Sequence, residues 1–222
     1  MSQESKINII ISAVSCISTI ISLGIAIIAL FQSNKQTKLS NKQNLFNDRV
    51  NIYLIFKGLI QLYKENQDTI EKEKNDDLYL SSECVLGDLV NNAYLEIMAG
   101  VIGKTLQQTY QKAFLTKIEE LKNVAEKTKF VYEKDVNNYI YNFIVAYEEL
   151  LMQLYKYSVL IYRMREMEKQ IPNKEGIREI AKSAKEIEHR NKLFDKFNNL
   201  KKAYRDMEEN QIIEKMEKMI QL

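Results

Sequence analysis

Hydrophobic and polar positions along this chain fall into one unbroken apolar run, followed by a succession of helical stripes. From Ile7 to Phe31 no residue is charged, and the 25 positions hold ten Ile, two Leu, one Val and one Phe. As a helix the run is roughly 37 Å long, against a bilayer hydrocarbon core of about 30 Å. Those fourteen strongly apolar side chains favour insertion by roughly 4–8 kcal/mol before the costs of Asn, Ser and Thr. The run therefore predicts a transmembrane helix over 7–31 behind a short tail, 1–6. A cleaved leader is the competing reading. Its apolar core would be only about 7–15 residues. The residues after the run, Phe31-Gln32-Ser33-Asn34, fit a cleavage site poorly. A lipoprotein site at Ala13-Val14-Ser15-Cys16 would strand most of the run behind it.

Beyond the run, residues 32–44 are polar and lack Gly and Pro, so they either continue the helix or form a short basic linker. Residues 45–64 carry two adjacent stripes, Phe46, Val50, Tyr53, Phe56, Ile60, Tyr63 and Ile52, Ile55, Leu59, Leu62, a width that belongs to a buried helix. The charged stretch 65–77 is a helix end or a loop. A second helix is expected to start near Ser81 or Ser82 and to carry Leu86, Leu89, Val90, Ala93, Ile97, Met98 and Val101, with Gly100 and Gly103 marking its end. Leu106, Tyr110, Phe114, Ile118, Leu121 and Ala125 form the next stripe. A long helix over about 129–170 then carries Val136, Tyr139, Phe143, Tyr147, Leu150, Leu154, Tyr157 and Ile161. Pro172 forces a break. A final helix over about 177–222 follows, in which Leu193, Phe197, Leu200, Tyr204 and Met207 keep a 4-3-4-3 spacing. That spacing slips before Ile213, Met216 and Ile220. The stripe is too short and too aromatic for a coiled coil, and the short connection favours an antiparallel hairpin with the preceding helix. The expected fold class is all-α: an N-terminal transmembrane helix followed by a cytoplasmic antiparallel helical bundle over 45–222.

Composition narrows the chemistry. The 6 Gly and 1 Pro argue against an all-β domain, which needs many turn residues, and 2 Cys and 1 His exclude a disulfide scaffold and a multi-His or Cys-rich metal centre. Lys plus Arg is 32 and Asp plus Glu is 30, a net charge of +2, so there is no overall pull toward nucleic acid. The basic clusters Arg163, Arg165, Lys169 and Lys201, Lys202, Arg205 are interleaved with acids, which reads as solvated helix faces. Nucleic acid is not an expected partner.

Local charge does set an orientation. Lys35, Lys38 and Lys42 flank the run on its C-terminal side with no acid before Asp48, whereas the tail has Glu4 and Lys6. Basic flanks stay cytoplasmic. The expectation is a single-pass protein of the inner membrane, tail outward and body in the cytoplasm, with the three lysines at the headgroups. On the run itself Ser15, Ser18, Ser22, Ala26 and Ala29 recur at spacings of 3, 4, 4 and 3, beside Ser12, Cys16 and Thr19. Small residues in that pattern either form a face for self-association of membrane helices or merely dilute an Ile-rich span.

No catalytic, cofactor-binding or metal-ligating residue is expected. Glu186-Ile187-Glu188-His189 supplies one Glu-x-x-His, but a bundle di-iron site needs two, and a solvated face is the ordinary reading. Arg190-Asn191 begins the Arg-polar-His pattern of helical-bundle ribonucleases without the His. Cys84 has no activating neighbour and reads as a small buried residue. No phosphate-binding glycine loop occurs. An enzyme remains possible in principle only through scattered carboxylates such as Glu96, Glu119, Glu148 and Glu149. Thirteen tyrosines, several of them on the long helix, read as core-edge packing or as a contact surface for a protein partner or another copy.

The order of span, polar joint and Leu45-Phe46-Asn47-Asp48-Arg49-Val50-Asn51-Ile52-Tyr53 resembles uncharacterised bacterial single-pass membrane-anchored helical proteins with a Leu-Phe-x-x-Arg-x-x-x-Tyr segment just inside the membrane. The resemblance covers about 7–64. Some proteins of that design are linked to phage defence or mobile elements, and the Lys-, Asn- and Ile-rich usage suits an AT-rich bacterial or phage genome. The resemblance implies the membrane-anchored helical architecture and, as function, a link to phage defence; the residues themselves point to a non-enzymatic interaction protein whose expected partners are the bilayer and other copies of itself or a second protein.

Overall fold

A computed structural model of the chain describes residues 3–72, 82–169 and 174–221. All secondary structure among the described residues is helical: α1 (Gln3–Lys72), α2 (Ser82–Leu89), α3 (Glu96–Ala99), α4 (Gln108–Val131), α5 (Lys134–Glu168), α6 (Lys174–Ser183), α7 (Glu186–Glu209) and α8 (Ile212–Ile220). The chain divides into two compact units, 1–47 and 48–222.

The first unit is helix throughout its described residues. The polar stretch 32–44 continues α1 without a break, the first of the two conformations its composition allows, since neither Gly nor Pro interrupts it. Apolar side chains project all round this part of α1, and none of its described side chains over 3–45 is buried.

The second unit is built around α5. Fifteen of its residues are buried, among them Phe143, Ile144, Tyr147, Leu150, Leu151, Leu154 and Tyr157. This helix is enclosed because α4, α7 and residues 52–63 of α1 all contribute buried side chains to the same core. Ile52, Phe56, Leu59 and Tyr63 supply α1's share; Phe114, Ile118, Leu121 and Ala125 supply that of α4; Leu193, Phe197, Leu200 and Met207 supply that of α7. At the centre Phe143 meets Phe56 edge-on at 5.4 Å and Tyr63 at 6.4 Å, and Tyr63 lies 5.0 Å from Tyr204. Such pairs add about 0.5–1.5 kcal/mol each beyond area burial.

Several expected boundaries are displaced. The helix predicted from Ser81 or Ser82 to the glycines is two short helices. Asn92 breaks it by accepting the Leu95 N–H on its side-chain oxygen at 2.8 Å, an alternative to the helical bond that starts α3 one turn later. Ser81 and most of 65–77 beyond Lys72 lie outside the described residues. Gly103 takes φ +66 after α3, a left-handed turn that suits glycine. The long helix begins at Lys134 rather than near 129, because Tyr132 and Glu133 are extended and close α4.

The single helix expected over 177–222 is three. It breaks at Lys185 and Gln211, both left-handed at φ 54 and φ 53. The second break accounts for the slipped spacing: after Met207 the next buried positions are Ile212 and Met216, and the left-handed Gln211 restores them to the core side. A non-glycine residue in this conformation costs roughly 1–2 kcal/mol. Lys185→Val, which adds a β-branch at positive φ, should therefore lower stability by about 1–2 kcal/mol, while Lys185→Asn should raise it slightly. Thermal unfolding of the full chain in detergent, followed by circular dichroism, checks both.

Candidate functional site

On the first unit the surface is chemically uniform. Ile7 is 54% exposed, Ile20 65% and Phe31 72%, and the most apolar 18-residue window, of mean hydropathy 2.5, has no residue buried. By length and composition α1 is able to cross a membrane. Ser15, Ser18, Ser22, Ala26 and Ala29 are all exposed, as are Lys35, Lys38 and Lys42 beyond the run. Thr19, beside the small positions, donates its hydroxyl to the Ser15 carbonyl of its own helix at 2.9 Å, a common way for a helical hydroxyl to satisfy itself.

On the second unit Arg49 and Tyr53 reach to other helices. The Arg49 guanidinium donates through Nε to the Val131 carbonyl at 3.1 Å and through Nη1 to the Met219 carbonyl at 3.1 Å. These carbonyls end α4 and lie in the last turn of α8, where the helix dipoles leave partial negative charge, so one cation caps two helices. The Tyr132 hydroxyl donates back to the Arg49 carbonyl at 2.8 Å, and Lys127 pairs with Asp48 at 2.6 Å. One turn on, the Tyr53 hydroxyl donates to Glu217, and Lys57 donates to the Tyr53 oxygen at 2.9 Å. The Leu-Phe-x-x-Arg-x-x-x-Tyr segment thus fastens α1 to the ends of α4 and α8.

A second polar cluster was not visible as such in the sequence. Glu186, expected on a solvated face, is 1% exposed. Arg190 grips it with both arms, Nε to Oε1 at 2.8 Å and Nη2 to Oε2 at 2.7 Å, and the Tyr157 hydroxyl donates to the same carboxylate. The carboxylate, foremost among the causes, raises the Arg190 pKa. Glu186 opens α7, where the helix dipole favours negative charge. The signal available in advance was its i,i+4 spacing to Arg190, which is equally common on exposed helices. His189 is half-buried rather than solvated, and its Nδ1 is enclosed without a hydrogen-bond partner. Cys84 departs from expectation in the other direction. It is exposed, because α2 turns Val85, Leu86 and Leu89 inward.

Three tyrosines of α5, Tyr147, Tyr155 and Tyr157, are core residues with tethered hydroxyls. Tyr147 donates to the Leu89 carbonyl at 2.6 Å and Tyr155 to the Thr105 carbonyl at 3.0 Å. Burial pushes both phenols above their ordinary range, and pushes Tyr63 up to about 12. The scattered carboxylates are not drawn into one centre. Glu96 and Glu119 are exposed, Glu149 pairs with Lys196 at 2.9 Å, and among the described residues no group of three or more His, Cys, Asp or Glu is placed to hold a metal ion. Glu148 is half-buried, and desolvation raises its pKa. An open groove of about 640 Å³ lies between α3 and α4 against Tyr94, Ile97, Tyr110 and Lys117.

No family model, no curated protein and no solved structure matches the chain.

Two outcomes follow from these geometries. Glu186→Ala removes the carboxylate that Arg190 and Tyr157 share and should cost about 3–5 kcal/mol, whereas Glu186→Met with Arg190→Met should recover most of that loss, as measured by denaturant unfolding. Glu148 has a folded pKa above its unfolded value, so its charge disfavours the fold and its contribution is lost as pH rises through the folded pKa. Glu148→Gln should raise the melting temperature at pH 7, and the gain should vanish once pH falls below the unfolded value of about 4.3.

Proposed function

We propose that the chain is a membrane-tethered, non-enzymatic helical interaction protein, held in the inner membrane by residues 7–31 with its body in the cytoplasm. The observation that carries this reading is the all-round exposure of the apolar part of α1. An apolar surface of that extent on a helix with no protein cover is costly in water and favoured in lipid. Lys35, Lys38 and Lys42, exposed on the C-terminal flank, support a cytoplasmic body. Tyr147 and Tyr155 tie their hydroxyls to backbone carbonyls, and among the described residues no three His, Cys, Asp or Glu gather in one place, which favours a scaffold over a reaction centre. Its arrangement reads as an antiparallel bundle. Tyr157 pairs with Glu186, Gln153 with the His189 carbonyl and Glu149 with Lys196, so numbers fall along α5 as they rise along α7.

The small positions Ser15, Ser18, Ser22, Ala26 and Ala29 suit association between copies within the bilayer. In its most specific form, which rests on the resemblance of residues 45–53, the reading is an oligomerising effector of phage defence that permeabilises the inner membrane. That form predicts a loss of membrane potential on overexpression, read with a voltage-sensitive dye.

The tether itself is tested by fractionation. The full-length chain should stay in the membrane pellet through alkaline carbonate and be released by detergent. Ile21→Arg with Ile25→Arg should move it to the supernatant. Protease added to spheroplasts should leave the body intact. Recovery of the unaltered chain in the supernatant overturns the tether, and digestion of the body from outside overturns the orientation.

A further inference from the structure

The last described helix, like α7 at Lys185, follows a left-handed residue, but it is much shorter. α7 ends at Glu209, Asn210 leaves helical geometry at φ −97 and ψ 6, and Gln211 is left-handed at φ 53 and ψ 44. The joint carries backbone strain that a glycine would not. Beyond it, α8 has nine residues and buries only Ile212 and Met216 among its described side chains, against seven buried positions on α7. A helix that short is not stable without tertiary support.

Support at its far end is polar. Arg49 holds the Met219 carbonyl, Tyr53 holds Glu217, and the Lys57 ammonium stands 4.0 Å from the same carboxylate with both side chains about half exposed. Along one flank α8 does not pack closely. An open groove of about 420 Å³ lies beside it at the first turns of α5, lined by Tyr139 and by the polar Lys134, Asp135, Asn138, Asn142, Asn210 and Lys215, while Ile213 and Met219 are only partly buried against the core. Arg49 also donates to a carbonyl outside α8, that of Val131, a bond made through a different nitrogen from the one that holds Met219. A partner outside α8 lowers the cost of letting α8 go.

We propose that α8 is a releasable strap, hinged at Gln211 and clipped to α1 by Arg49, Tyr53 and Lys57. Opening uncovers Ile212 and Met216 together with the core they cover, and frees residues 49–57 of α1 from the last helix. The device belongs to the second unit alone and does not depend on where the chain resides in the cell.

Hydrogen exchange read by mass spectrometry on the full chain in detergent micelles tests it. Amides of 212–220 should exchange at least about 100-fold faster than those of 143–158 while retaining measurable protection, the signature of a local opening. Tyr53→Phe combined with Glu217→Gln, which unfastens the clip while leaving the apolar contacts, should accelerate exchange in 212–220 by about tenfold and leave 143–158 unchanged. Gln211→Gly, which relaxes the hinge, should slow it. Equal protection of the two segments would show that α8 opens only with the whole fold, and absence of protection would show that the strap is not closed. Either overturns the proposal, as does acceleration of both segments alike in the double variant.

Discussion

The helical body depends on enclosing α5. A helix buried on most of its circumference must find apolar partners in several directions at once, and here α1, α4 and α7 provide them. Removing that surface from water is the dominant favourable term, and it fixes which faces of the surrounding helices turn inward. The ring cluster of Phe56, Tyr63, Phe143 and Tyr204 sits where three of these helices share one volume. The other elements follow from that enclosure: α2 lies against α5 through Leu86 and Leu89, and α8 reaches it through Ile212 and Met216.

Directional contacts then choose among the ways such helices could pack. Tyr147 reaches the carbonyl of Leu89, which ends α2, and Tyr155 that of Thr105, shortly before α4, fixing both ends of that stretch against the core. Buried phenols of this kind are neutral in the fold at any ordinary pH, since burial holds their pKa values high. The Glu186–Arg190–Tyr157 cluster does the same at the start of α7, where a buried charge is tolerable because the guanidinium and the phenol converge on it.

Element type was legible from periodicity wherever a stripe ran for several turns, as in 45–64, 106–125 and 134–168. The stripes at 52–63 and 136–161 name most of what α1 and α5 give to the core. Boundaries were less legible because they are set by contacts distant in sequence. Nothing near Lys185 or Gln211 announces a left-handed residue; the breaks serve the burial of Glu186 on one side and of Ile212 on the other. Asn92 carried a local signal, a side chain able to replace a helical bond, that the surrounding apolar stripe outweighed on reading. The role of Arg49 is illegible in the same sense, since its acceptors are backbone carbonyls 82 and 170 residues away. The buried state of Glu186 and the outward turn of Cys84 depend on which face each short helix presents, which a single charged or small residue does not encode.

Thr19 bears on how two such apolar helices could meet. Its proton is already committed to the carbonyl four residues earlier, so that hydroxyl has no donor left for a second helix. Contact along the serine and alanine ridge would then rest on close approach of main chains, with dispersion and weak Cα–H···O contacts supplying cohesion. Cohesion of that kind falls off steeply with separation, so a single bulky side chain in the ridge would weigh more than the loss of any one polar group.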